Sequence, residues 1–148
     1  MARKTLQYTV QEEGRDRGKV FLLTEMSASQ AESWAARAIL ALMAGGVDLP
    51  EGFERLGMAG IAELGLRALA KLRWQDAKPL LDEMMSCVQI LPNPAKPNIV
   101  RALIEEDIEE VQTLVKLRME IWGLHVGFSP AATKSSSTGL PVAAQRKP

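Results

Sequence analysis

Residues 5 to 10, Thr-Leu-Gln-Tyr-Thr-Val, alternate polar and apolar side chains, and from residue 28 onward the apolar period changes to that of a helix. A chain that changes period in this way cannot be all-α or all-β; it must pack helices against strands. Leu6, Tyr8 and Val10 share one face of the first strand, Gly14 and Gly18 bracket a charged turn, and Val20 to Leu23 supply a second β-prone run. Residues 4 to 25 are therefore predicted to form a β-hairpin with a loop longer than the two-residue minimum.

Ser27-Ala-Ser-Gln30 has the spacing of a capping box, so a helix is predicted from about 28. Gly45-Gly46 predicts its end near Ala44, because glycine enters the left-handed region that residues with a Cβ resist. A connector with Pro50 and Gly52 leads to a second helix from about 57. Its Ile61, Leu64, Ala68 and Leu72 oppose a charged stripe of Glu63, Arg67 and Lys71. Gly57, Gly60 and Gly65 weaken that helix by about 1 kcal/mol each relative to Ala, so it depends on packing. A third helix is predicted over about 74 to 86, with Pro79 opening its regular part or bending it. Cys87 to Leu91 and Ile99 to Leu103 flank Pro92-Asn93-Pro94 and read as a second short hairpin.

The last and longest helix is expected to begin near Glu105, where Glu105, Glu106, Asp107, Glu109 and Glu110 match the positive end of a helix dipole. Its first half carries one apolar stripe, Ile104, Ile108, Val111 and Val115. Its second half carries two, because Leu114, Leu117, Ile121 and Leu124 join Met119 and Trp122. A helix apolar on two stripes is either central to the core or shared with a partner helix. From Ser129 onward the chain is Ser, Thr, Ala and Pro with three basic residues and no acid, the composition of a flexible tail. The expectation is one α+β domain over 1 to 128, mainly helical with about four helices, an N-terminal hairpin and a second short hairpin, followed by a tail over 129 to 148.

Composition narrows the function. Eighteen basic and eighteen acidic residues cancel, which argues against a general nucleic-acid binder, since that needs a basic footprint, and leaves little charge repulsion to oppose a homo-oligomer. The single cysteine, Cys87, fits a reducing compartment; with no apolar leader and no run long enough to span a bilayer, the cytoplasm is the expected location and no membrane partner is expected. Gly57 to Gly65 is glycine-rich but follows no strand and lacks the Gly-Lys-Ser/Thr ending of a phosphate loop, so tight helix packing explains it better. His125 is the only histidine, and no nucleophile motif flanks it or Cys87. Its simpler role is to meet the last carbonyls of a helix. One His and one Cys do not fill a structural zinc site, so no catalytic, cofactor or metal residues are expected.

Five phrases in order, Gly18 to Met26, Ser29 to Ala35, Pro79 to Met85, Asp107 to Val111 and Leu124 to Phe128, together resemble tail assembly chaperones of long-tailed bacteriophages and prophages over roughly residues 5 to 128. The resemblance implies a non-enzymatic protein that keeps the tape-measure protein soluble and helps recruit major tail-tube subunits. It would act in the cytoplasm of the bacterial host and be left out of the mature virion. In such families a longer form is often made by ribosomal frameshifting. With that implication the surplus stripe Leu114, Leu117, Ile121, Leu124 and Phe128 is the predicted partner-binding surface. The rivals are a virion structural protein such as a head-tail connector component and, behind it, a small cytoplasmic enzyme.

Overall fold

A computed structural model describes residues 3–49 and 66–126 of the chain. In chain order the regular elements are β1 (Thr5–Thr9), β2 (Val20–Thr24), α1 (Ala28–Ala44), α2 (Trp74–Met85), β3 (Val88–Leu91), β4 (Arg101–Ala102) and α3 (Val111–Val126). The strands form one antiparallel sheet in the order β1-β2-β3-β4. Thr5 pairs with Thr24 and Thr9 with Val20 across the first hairpin, and Val20 pairs with Leu91 across the sheet centre. The turn between β1 and β2 needs glycine at Gly18, whose φ is +88°.

α1 starts and stops where local chemistry dictates. Ser27 Oγ accepts the Gln30 amide at 3.2 Å. The Gln30 side chain does not complete the box; it donates to Glu83 Oε2 on α2 at 3.2 Å, a tertiary bond in place of a local one. At the other end Gly46 has φ +93°, and Val47 N donates to Leu42 O, which closes the helix. Pro79 lies inside α2.

The helices cover one face of the sheet. Phe21 and Leu23 of β2 and Val88 and Ile90 of β3 meet Trp34, Ala38 and Ile39 of α1, Leu80 and Met84 of α2, and Leu117, Ile121 and Leu124 of α3 in a single core. Trp34 Nε1 donates to Leu80 O at 3.0 Å, and its ring meets Trp122 edge to face at 6.3 Å, so the largest buried side chain satisfies its polar atom while joining three helices.

Three expectations are corrected. Among the described residues there are three α-helices, not about four; the predicted second helix falls mostly on residues 50–65, outside the described residues, and its end, Leu66–Lys71, is a 3-10 segment. The second hairpin, which β2–β3 pairing joins to the first in one four-stranded sheet, has a shorter second strand than the run Ile99 to Leu103, because β4 is only Arg101–Ala102. The final helix does not begin near Glu105, nor is it the longest among the described residues. Glu105–Asp107 form a 3-10 turn, α3 begins at Val111 with 16 residues, and α1 has 17. The predicted tail, 129 to 148, also lies outside the described residues.

Candidate functional site

The position of α3 is set from the β1–β2 turn. Asp16 is 1% exposed, and its carboxylate accepts the amides of Glu109 at 3.0 Å and Glu110 at 2.9 Å, the Thr113 hydroxyl at 2.7 Å and the Lys19 ammonium at 2.8 Å. It therefore caps the start of α3 from a distant part of the chain, satisfying donors that a helix start leaves unpaired and placing a negative charge at the positive end of the dipole. Arg15 Nε donates to Glu110 Oε2 at 2.9 Å, and Lys19 also reaches the Asp107 carbonyl at 2.8 Å. Asp107 in turn holds Arg101 in a two-point contact at 2.8 and 2.9 Å and accepts the Ile104 amide at 2.8 Å. The acidic run read as the first turn of a helix thus serves two purposes: Asp107 closes its own 3-10 turn, while Glu109 and Glu110 face the hairpin cations.

Burial by itself pushes the Asp16 pKa up, but the bonds from Lys19, Thr113 and the two amides outweigh it and lower it from 3.8 to about 2. Asp107 is also lowered, chiefly by its hydrogen bonds to Arg101, with burial opposing. Both pKa values are depressed in the folded state, so the stabilisation is present above about pH 4 and is lost as pH falls toward 2. The melting temperature is expected to fall steeply between pH 4 and pH 2, and less steeply in Asp16→Asn. Equal slopes in thermal melts of the two proteins would show that Asp16 is not the titrating group.

So anchored, α3 presents two apolar faces. Leu117 is 0% exposed, Ile121 1% and Leu124 3%, all packed in the core. The other stripe faces outward at the helical i, i+4 spacing: Val111 is 75% exposed, Val115 47% and Met119 50%. Between the two runs a groove of about 480 Å³, lined by Met85, Leu103, Ile108, Leu114 and Arg118, with Asp82 and Glu105 also contributing. Ile104, itself exposed, completes the wall. Among the described residues Arg118 Nε, buried there, has no hydrogen-bond partner, and a buried donor of this kind gains free energy when an acceptor reaches it.

The predicted partner-binding residues are therefore distributed differently from the stripe assumed. Leu117, Ile121 and Leu124 are core residues, because this face of α3 lies on the sheet and on α1 and α2. Leu114 is half-buried and lines the groove, and Phe128 lies outside the described residues. Sequence reasoning passed over Asp16. Its signal was charge complementarity between the basic turn Arg15 to Lys19 and the acidic run Glu105 to Glu110.

His125 ties α3 to the segment after β2: Nε2 accepts the Met26 amide at 2.8 Å and Nδ1 donates to the Ile121 carbonyl at 2.9 Å. It lines a small apolar pocket with Met26, Trp34, Met84, Ile121 and Trp122, which contains neither Cys87 nor a carboxylate. The buried Cys87 thiol is pushed up to about 11, by desolvation first and then by the Glu83 charge, and is protonated at neutral pH. Among the described residues no group of His, Cys, Asp or Glu is arranged to hold a metal ion, and no helix is long and apolar enough to cross a membrane. Comparison with protein-family models, with curated proteins and with solved structures finds no match to this chain.

Proposed function

We propose that this chain is a non-catalytic tail assembly chaperone of a long-tailed phage or prophage, which binds an amphipathic helix of the tape-measure protein on α3 and helps recruit tail-tube subunits. It acts in the bacterial cytoplasm and does not enter the finished virion. The observation that carries the reading is the apolar stripe Val111, Val115 and Met119, left exposed beside the groove of Leu103, Ile108 and Leu114. The ordered phrases that resemble the chaperone family support it from the sequence. A helix with apolar anchors every three or four residues fits such a stripe, and a carboxylate on its flank would supply the acceptor that Arg118 Nε does not find among the described residues.

The test is co-expression with the product of the neighbouring long, helical open reading frame. Val115→Lys/Met119→Lys alters only exposed positions, so the melting temperature should move little. Co-purification should fall at least about tenfold, since each buried apolar anchor contributes roughly 1.5 to 3 kcal/mol. Lys96→Ala, on the exposed β3–β4 connection, is the control and should bind normally. Undiminished co-purification of the double variant would move the interface off α3, and stoichiometric recovery of the protein from purified virions would favour a connector component.

A further inference from the structure

The sheet has two edges. One is β4, only Arg101–Ala102, and the other is β1. The hydrogen bonds Glu25 N to Lys4 O and Val10 N to Lys19 O fix the phase of the first hairpin. Residues 4, 6, 8 and 10 turn their amides and carbonyls toward β2, so Thr5, Gln7 and Thr9 turn theirs outward. Among the described residues no strand pairs with that side. The strand Thr-Leu-Gln-Tyr-Thr has no proline and no charged residue, the usual guards of a free edge.

We propose that β1 is a homodimerisation edge, on which a second copy of this chain pairs antiparallel about a two-fold axis through Gln7 and joins the two four-stranded sheets into one. Charge selects this occupant and this direction. The segment is basic at its start, Arg3 and Lys4, and acidic at its end, Glu12 and Glu13. An antiparallel copy centred on Gln7 brings each basic end beside the other's acidic end, whereas a parallel copy would set like charges together. Glu12 is held by Lys116 and Glu13 pairs with Arg17, but that second pair is exposed, with the Glu13 side chain 87% exposed, and such pairs exchange at little cost, so Glu13 is the acid that meets the exposed Arg3 and Lys4 across the axis.

The same register sets Thr5 opposite Thr9 and Leu6 opposite Tyr8, cross-strand pairs of the favourable kinds, and covers the half-buried Leu6 and Tyr8. About six backbone hydrogen bonds would form, between positions whose amides and carbonyls are otherwise left to water. The arrangement is isologous and uses up its own edge, so it closes at two copies. The proposal does not depend on what α3 binds.

Cysteine scanning on the full chain tests the register. At the axis the two Gln7 Cα atoms would lie about 5.5 Å apart, within disulfide range. Gln7→Cys should therefore cross-link to itself on mild oxidation. Two Thr5 positions, or two Thr9 positions, would lie about 14 Å apart along the strands, so neither single cysteine should cross-link while the Thr5→Cys/Thr9→Cys double variant should. The native Cys87 is buried and does not compete.

Gln7→Pro provides the second measurement. It removes an outward amide and no β1–β2 bond, so sedimentation should show a monomer where the unaltered protein is a dimer, with the far-ultraviolet dichroism retained. If Gln7→Pro does not fold, the cross-linking pattern decides. A monomeric unaltered protein, equal cross-linking at positions 5, 7 and 9, or a dimer that persists in folded Gln7→Pro would overturn the proposal.

Discussion

Replacing Asp16 with alanine is expected to destabilise the protein by about 3 to 5 kcal/mol, the cost of breaking a buried charged network from one side. For a chain of this length that corresponds to a fall in melting temperature on the order of 10 °C. The carboxylate is 1% exposed and accepts the Glu109 and Glu110 amides, the Thr113 hydroxyl and the Lys19 ammonium. Truncation leaves the two amides and the buried hydroxyl without that acceptor and takes the negative charge from the helix start. Asp16→Asn keeps the shape and one acceptor oxygen, so its loss should be smaller. Removing the exposed partner Arg15, whose side chain is 64% exposed, should cost less than either, because exposed ion pairs contribute little. Thermal melts of the three variants at neutral pH give the order. An Asp16→Ala melt within a degree or two of the unaltered protein would mean that the hairpin turn does not hold α3.

Leu117→Ala should be the second severe change, with a cost of about 2 to 5 kcal/mol through lost burial and the cavity left behind. Leu117 is 0% exposed and lies in the core shared by α3, the sheet and the other helices, where few side chains can move to fill the space. A partner cannot reach it in the folded protein. The expected result is therefore a lowered melting temperature, with the proposed tape-measure partner still co-purifying at a temperature where the variant is folded. Val115→Lys/Met119→Lys should behave in the opposite way, folded and non-binding. A Leu117→Ala protein that melts normally yet fails to bind would place the interface on the stripe the fold buries and would contradict the arrangement described above.

The helix α1 was legible almost residue by residue. The signals for its ends, Ser27 and Gly45-Gly46, act on amides and carbonyls only a few residues away, so tertiary contacts had little to change. The same holds for β1, where alternation fixes which side chains face the core, whereas β2 is a continuous apolar run whose facing is set by its pairing with β1 and β3. α3 was legible as a helix but not in its start, because acidic residues suit a helix N-terminus and also suit a basic neighbour. The chain uses Glu109 and Glu110 for the second purpose, and only the approach of Asp16, more than ninety positions away in sequence, fixes the start at Val111.

The candidate site shows the same division. The sequence alone determined that α3 carries more apolar surface than one contact can bury, since the residues of both stripes are present whatever the fold. It could not determine which stripe remains outside, because the two are equivalent until one meets the sheet. That choice was made by tertiary structure. The Asp16 cap anchors the start of α3 at the hairpin, the Met26 amide and His125 tie its end to the segment after β2, and between these ties the helix lies with Leu117, Ile121 and Leu124 inward and Val111, Val115 and Met119 outward. Local periodicity encodes how many faces a helix has; contacts between distant parts of the chain decide which of them meets water.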